Sequence, residues 1–275
     1  MAKQWTTTTL HNGVEMPTLG LGVWKMENND EVKTAVNAAI DAGYKAIDTA
    51  AAYKNEEGVG AAIKENSTPR EDLFITSKVW NDDQGYESTL KAFEDTVTKL
   101  GVETLDLYLI HWPVEGKYKE TWKAMEKLYK DGRIRAIGVS NFHPHHLEDL
   151  IKDAEIKPMV NQVEFHPLLN QQELRDYCKK HSIQMEAWSP LAQGKLLDHD
   201  VVKHIGEQHG KSTAQVIIRW DLEHEVVTIP KSSNPERIKQ NFDVFDFELT
   251  KDDIRAIDEL NQNERMGPDP DNFDF

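Results

Sequence analysis

Along most of this chain, short apolar runs rich in β-prone residues alternate with longer stretches whose apolar positions recur three and four residues apart. The first pattern suits a strand buried on both faces, the second a helix with one buried stripe. Strands are therefore expected at Leu19 to Val23, Lys45 to Asp48, Leu73 to Lys78, Leu105 to His111, Ile134 to Val139, Met159 to Val163, Gln184 to Trp188 and Val226 to Ile229. Helical spacing runs through Glu31 to Ala42, Tyr86 to Leu100, Lys119 to Lys130, Gln171 to Lys180 and Thr213 to Leu222. Gly43, Gly101 and Gly132 follow three of these, where a chain leaves a helix through a left-handed residue. Ahead of the first alternation, Gln4 to Met16 reads as two short strands about the turn Asn12-Gly13, a lid or plug before the main fold.

No Pro/Gly/Ser-rich linker interrupts the alternation, so residues 1–275 are expected to form one domain. About eight β/α units, each long enough for a crossover, predict an α/β fold, a parallel (β/α)8 TIM barrel with an N-terminal hairpin plug. A doubly wound open sheet is the alternative, because the pattern does not say whether the sheet closes. A barrel places its chemistry at the C-terminal ends of its strands and in the loops that follow. The polar residues obey that demand: the expected strands end in or run into Asp48, Lys78, His111, Ser140-Asn141, Trp188-Ser189 and Lys231-Ser232, and the sixth carries Gln162.

Composition narrows the function. Apolar residues make up 39% of the 275 and charged residues 29%, which suits a folded globular chain and excludes bulk disorder. Lys and Arg number 32 against 48 Asp and Glu, a net charge of −16 that argues against nucleic acid and anionic membranes as partners. Cys178 is the only cysteine, so neither an intramolecular disulfide nor a thiolate metal site is available, as suits a reducing cytoplasm. The N-terminus carries no signal-like apolar stretch, and no run approaches the ~18 apolar residues of a membrane span.

Four residues suggest a reaction. A lysine closing a barrel strand, Lys78, needs a partner, and Asp48 closes the adjacent strand; alone the two would be a structural ion pair. Tyr53 lies in the loop after Asp48, and His111 ends the fourth strand. A tyrosine, a lysine, an aspartate and a histidine at one barrel mouth make a proton-donating set for a carbonyl. A phenol with a pKa of about 10 is a weak acid, and the lysine cation is expected to lower it while the aspartate keeps the lysine charged.

Five further stretches fix the resemblance. They are Gly43-Tyr44-Lys45-Ala46-Ile47-Asp48-Thr49-Ala50, Tyr53-Lys54-Asn55-Glu56, Leu107-Tyr108-Leu109-Ile110-His111-Trp112-Pro113, Ile137-Gly138-Val139-Ser140-Asn141-Phe142 and Ile229-Pro230-Lys231-Ser232. On these the chain resembles the aldo-keto reductases over nearly its whole length, and within them the bacterial branch of glyoxal, methylglyoxal and 2,5-diketo-gluconate reductases. The resemblance implies a catalytic tetrad of Asp48, Tyr53, Lys78 and His111. A nicotinamide hydride would reach the carbonyl carbon while Tyr53 protonates the oxygen and His111 orients it, giving an alcohol.

Cofactor expectations follow. Gly20-Leu21-Gly22-Val23-Trp24-Lys25 lacks the third glycine of a dinucleotide fingerprint, which disfavours a Rossmann site, and no phosphate loop of the G-x-x-x-x-G-K-[ST] type occurs. The expected cofactor set is instead Gly22, Val23, Ser140, Asn141, Gln162, Trp188, Ser189, Leu191, Gln193, Lys231, Ser232, Arg237 and Asn241. By resemblance Ser140, Asn141 and Gln162 hold the carboxamide, Trp188 stacks on the nicotinamide, and the loop Ser189 to Gly194 follows the pyrophosphate. Lys231, Ser232 and Arg237, two cations and a hydroxyl at a helix start in an acidic chain, form a phosphate site by charge. The resemblance assigns it the 2′-phosphate and Asn241 the adenine, hence NADPH (NADP+) over NADH.

The substrate is expected to be a small carbonyl compound in an open pocket walled by Trp24, Trp80 and Trp112 and facing His111, served by a monomer. The segment Met266 to Phe275 either folds over this pocket, with Phe273 or Phe275 reaching in, or stays solvated. Three other functions fit parts of the chain. A metal enzyme would use His143-Pro144-His145-His146, but these read as exposed imidazoles at a helix start, and no metal is expected. A glycosidase would need Glu164 and Glu186 as its carboxylate pair. A non-catalytic NADPH-binding sensor is the alternative the intact tetrad argues against.

Overall fold

A computed structural model describes residues 6–275. Gln4 and Trp5, the first part of the expected hairpin, lie outside the described residues. The remainder pairs as expected: β1 (Thr7–Thr9) runs antiparallel to β2 (Glu15–Pro17), with Gly13 at φ +87° in the turn. Its tip binds the bottom of the barrel, where Asn12 Nδ2 donates to the Arg135 carbonyl at 3.0 Å and Thr8 Oγ1 to Gln184 Oε1 at 3.1 Å. The hairpin is therefore a plug at the end remote from the chemistry, and the lid reading falls away.

The barrel consists of β3 (Gly20–Gly22), β4 (Ala46–Asp48), β5 (Phe74–Val79), β6 (Leu105–Ile110), β7 (Ile134–Ser140), β8 (Val160–Glu164), β9 (Gln184–Trp188) and β10 (Val227–Thr228), paired in parallel in chain order. Closure is settled at the seam between the first and last strands. Leu19 bridges Thr228 and Gly22 bridges Lys231, both in parallel, and Thr228 N–H donates to the Thr18 carbonyl at 3.0 Å. A Cβ on Gly22 would come 2.8 Å from the Ile229 carbonyl oxygen, so only glycine lets the seam approach this closely. The open-sheet alternative is thereby excluded.

Around the strands lie α1 (Asp30–Ala42), α2 (Glu56–Glu65), α3 (Tyr86–Leu100), α4 (Tyr118–Lys130), α5 (Pro144–Asp153), α6 (Gln172–Lys180), α7 (Asp200–His209), α8 (Thr213–Glu223), α9 (Pro235–Phe242) and α10 (Lys251–Asp258). The local logic is visible in α1. Asn29 caps it by accepting from the Glu31 N–H, and Val32, Ala35, Val36, Ala39 and Ile40 form one buried stripe. Gly43 at φ +108° then ends it, and Gly101 and Gly132 also take positive φ. Each fully buried aliphatic side chain in such a stripe contributes roughly 1.5 to 3 kcal/mol, so the stripe seats the helix on the barrel wall.

Candidate active site

The C-terminal ends of β4 and β5 bring Asp48 and Lys78 together in the barrel interior. Lys78 is 0% exposed and Asp48 2%, and Nζ of Lys78 donates to Oδ1 of Asp48 at 2.6 Å. The same ammonium donates to the Thr49 carbonyl at 3.0 Å and to the Tyr53 hydroxyl at 3.2 Å, so its three protons have three acceptors. Tyr53 is placed by a single 3-10 turn, Ala51–Tyr53, whose exit residue Lys54 sits at φ +56°. Asn55 fixes that loop: its Oδ1 accepts from Thr49 Oγ1, and its Nδ2 donates to the Val23 and Met26 carbonyls. The sequence motif around Tyr53 thus contains a reacting group and the clamp that holds it. His111 follows β6 directly, its ring edge-on to Tyr53 at 5.7 Å and to Trp80 at 5.2 Å between centroids.

Charge states follow from burial. Burial pulls the Lys78 pKa down, but Asp48 and Tyr53 outweigh it and the net shift is upward, so the ammonium persists. Burial together with the Lys78 charge holds His111 well below the ordinary histidine range, leaving a neutral imidazole. Tyr53 corrects the sequence expectation: burial raises its pKa more than Lys78 lowers it, and the net shift is upward. The phenol therefore stays protonated through neutral pH, as a proton donor must.

Behind the tetrad lies a group that motif reading set aside. Nε2 of Gln162 on β8 donates to Oδ2 of Asp48 at 2.7 Å and to Oε2 of Glu186 on β9 at 2.9 Å. Burial and the Asp48 charge push Glu186 up to about 8, and burial also raises Asp48 against the pull of Lys78 and Gln162. With both amide hydrogens spent, Gln162 keeps its carbonyl oxygen for a ligand. Ser140 Oγ donates to the main-chain carbonyl of Gln162 at 2.7 Å, and Asn141 Nδ2 donates to the main-chain carbonyl of His111 at 3.0 Å. Asn141 Oδ1 accepts from Nε1 of Trp188 at 2.8 Å, which ties the indole at the end of β9 to the end of β7. The expected carboxamide and stacking residues are thus assembled in one connected network.

The remaining cofactor candidates divide. Ser189, Ala192 and Gln193 have φ values of +53°, +48° and +54° in one short loop that also holds Leu191. Three left-handed non-glycine residues store strain of a kind found at ligand-holding loops. Lys231 and Arg237 are exposed and form no ion pair among the described residues, while Ser232 and Asn241 beside them are buried. Asn234 caps α9 by accepting from the Arg237 N–H at 3.0 Å. Two exposed cations, one of them Lys231 in the field of Glu31, together with a hydroxyl, an amide and a helix start form a donor set that fits a phosphate on an adenosine. Gly22 and Val23 stand at the mouth end of β3: a Cβ on Gly22 would meet Ile229 across the seam, and Val23 N–H donates to the Asp48 carbonyl at 3.1 Å.

The tryptophans divide as well. Trp80 and Trp112 line the mouth, whereas Trp24 is 43% exposed and lies under Lys25 Nζ, 4.2 Å from its ring. Trp24 makes no ring contact with the other two. The C-terminal segment folds over the mouth: Phe275 stacks on Trp80 at 5.9 Å, and Phe273 and Phe275 each lie 5.2 Å from Trp112. The open pocket expected from sequence is therefore covered. Glu164, one of the two carboxylates a glycosidase would need, is consumed in anchoring this segment. It accepts from the Met266 and Gly267 N–H groups at 2.5 and 3.1 Å and lies 3.0 Å from His166 Nε2. Glu186 is likewise committed to Gln162.

A closed parallel barrel with this tetrad at its C-terminal mouth defines an oxidoreductase of carbonyl groups. Residues 18–262 match the Aldo/keto reductase family, and the chain belongs to it, working with a nicotinamide cofactor. It is 66% identical over 269 residues, 98% of each chain, to glyoxal reductase of Bacillus subtilis (strain 168). It is 50% identical over 272 residues, again 98% of each, to methylglyoxal reductase DkgA of Escherichia coli (strain K12). Among solved structures, a Gox0644 variant in complex with NADPH matches with a TM-score of 0.94 at 44% identity, covering 99% of this chain and 100% of that one.

Proposed function

We propose that this protein uses NADPH to reduce small aldehydes, ketones and dicarbonyls of the glyoxal and methylglyoxal type to alcohols. The observation that carries this reading is the Lys78 ammonium, bonded at once to Asp48 at 2.6 Å and to the Tyr53 hydroxyl at 3.2 Å. The cofactor, when bound, supplies the hydride. Tyr53 gives its proton to the developing alkoxide, and Lys78 stabilises the phenolate left behind, so its charge is most useful after transfer begins. Asp48 holds Lys78 in place. Neutral His111 donates a hydrogen bond to the same oxygen and orients the carbonyl.

Gln162, Ser140 and Asn141 hold the carboxamide, Trp188 stacks on the nicotinamide, and Ser189, Leu191 and Gln193 follow the pyrophosphate. Lys231, Ser232 and Arg237 take the 2′-phosphate and Asn241 the adenine, which selects NADPH over NADH. Trp80 and Trp112 wall a narrow aromatic mouth suited to small carbonyl compounds. The reading includes a monomer in the cytoplasm, and the net charge of −16 supports one that engages neither nucleic acid nor an anionic membrane surface. No helix among the described residues is long and apolar enough to cross a membrane.

The test is steady-state oxidation of NADPH with glyoxal, methylglyoxal and a simple aromatic aldehyde. Turnover with the dicarbonyls is expected. Tight NADPH binding without turnover of any of them would instead support a cofactor-binding sensor.

A further inference from the structure

We propose that His143, His145, His146 and Asp271 bind a divalent transition-metal ion such as zinc or nickel, and that the bound ion clamps the C-terminal segment over the carbonyl site. The sequence gives only imidazoles at a helix start; what changes their meaning is Asp271, which the fold delivers to the beginning of α5. Nδ1 of His143 lies 2.9 Å from Oδ2 of Asp271, Nε2 of His145 2.9 Å from Oδ1 and Nε2 of His146 3.4 Å from Oδ1. The four candidate ligand atoms all lie within 4.8 Å of one another. A tetrahedral ion with bonds of about 2.0 to 2.1 Å holds its ligands roughly 3.3 Å apart, so the widest pair must close by about 1.5 Å when the ion binds.

The donor set selects the ion class. Three imidazoles and one carboxylate suit zinc, nickel, cobalt or copper, whereas magnesium and calcium require oxygen ligands. The cluster borders a groove of about 710 Å³ lined by Asp82, Glu115 and Lys117, with Asp149 paired to Lys119 at 2.8 Å, so a hydrated cation can reach it from solvent.

Two hydrogen bonds oppose ligation. Nδ1 of His146 accepts from the His143 N–H at 3.1 Å, and Arg265 Nη2 lies 3.0 Å from Nε2 of His143. An imidazole bound to metal through one nitrogen carries its proton on the other, so both bonds must be surrendered when those rings ligate. Each surrendered bond lowers affinity by roughly tenfold, which sets the expectation at micromolar rather than nanomolar binding. His145, 60% exposed at its side chain, has to give up only its own contact with Asp271 Oδ1 and is the natural entry ligand.

The link to the carbonyl site is short. Asp271 is followed by Phe273 on Trp112 and by Phe275 on Trp80, and Asn81 Nδ2 donates to the Phe275 main-chain oxygen at 3.0 Å. An ion that ligates Asp271 therefore tethers the aromatic cover and should slow its opening.

The experiment titrates zinc chloride into the full chain with NADPH bound and any purification tag removed, read by calorimetry. One equivalent should bind with a Kd on the order of 1–10 μM, and His145→Ala and Asp271→Asn should each weaken it at least tenfold. No saturable binding by about 100 μM, or a Kd unchanged in both variants, overturns the site. This arm does not depend on the reaction proposed above. In a second arm, zinc should lower kcat for carbonyl reduction severalfold in the parent and leave Asp271→Asn unaffected. Site-specific binding with unchanged parental turnover overturns the clamp.

Discussion

Gly267 lies so close to Trp188 that a Cβ built on it would come 2.4 Å from Cη2 of the indole. The contact joins the C-terminal segment to the residue proposed to stack on the nicotinamide, and the Glu164 carboxylate holds Gly267 there through its N–H. Gly267→Ala must therefore displace either the segment or the ring. We expect a destabilisation of about 1–3 kcal/mol from overpacking and a several-fold weaker NADPH affinity. Thermal unfolding and fluorescence titration check both; an unchanged melting temperature with unchanged affinity would show that the segment is not seated on Trp188 in solution.

Tyr53→Phe keeps the ring and removes the proton. Reduction should fall by about 10²- to 10⁴-fold with NADPH affinity near that of the parent. Lys78→Met should be nearly as damaging to turnover. It also strands Asp48 in the barrel without its cation, so about 3–5 kcal/mol of stability should be lost as well, and rates must be normalised to folded protein. The double variant should be little worse than either single one, because the two residues act as a unit. Retention of most activity in Tyr53→Phe would remove it from the mechanism.

Arg237→Ala tests the cofactor choice. A guanidinium pairs with a phosphate through charge-assisted hydrogen bonds worth roughly 1.5 to 3 kcal/mol, so NADPH affinity should drop about ten- to hundredfold while NADH is almost unaffected. Raised salt should narrow the preference in the parent too, since anions compete for Lys231 and Arg237. Equal weakening of both cofactors would return Arg237 to the role of a surface helix residue.

Glu186→Gln tests the proton behind the tetrad. The Glu186 carboxyl is raised from 4.5 to about 8 by burial and by Asp48, so between those values the folded chain holds a proton that the unfolded chain has released. Folding stability from this group is therefore fully present below about 4.5 and is lost as pH rises to about 8. A glutamine carries no such dependence and keeps an acceptor for Gln162. The variant should gain on the parent by on the order of 3 kcal/mol between pH 5 and pH 8, measured by denaturant titration. A stability difference independent of pH would mean that Glu186 is already ionised in the folded chain.

The hydrophobic periodicity by itself determined that eight strands alternate with helices and set Asp48, Lys78 and His111 at strand ends with Tyr53 in the loop after Asp48, and the surrounding motifs gave those four their roles by resemblance. Boundaries slipped at the seam: the expected Val226 to Ile229 is regular only over Val227–Thr228, although Ile229 N–H still donates to the Ala187 carbonyl of β9 at 3.2 Å. Closure itself was not legible, because it depends on Gly22 approaching Ile229 from the opposite end of the sheet. Tyr53 shows the same division. Its neighbour Lys78 was evident from the sequence, but the sign of its pKa shift depends on how completely the site is buried, a property of packing and not of spacing. Glu186 read as a strand residue short of the mouth, and only the alternation of facing side chains around a closed barrel turns it toward Gln162. The cover of Phe273 and Phe275 and the meeting of Asp271 with three histidines are likewise tertiary. They join residues more than a hundred positions apart through a segment without periodicity, and no local preference of that segment encodes where it docks.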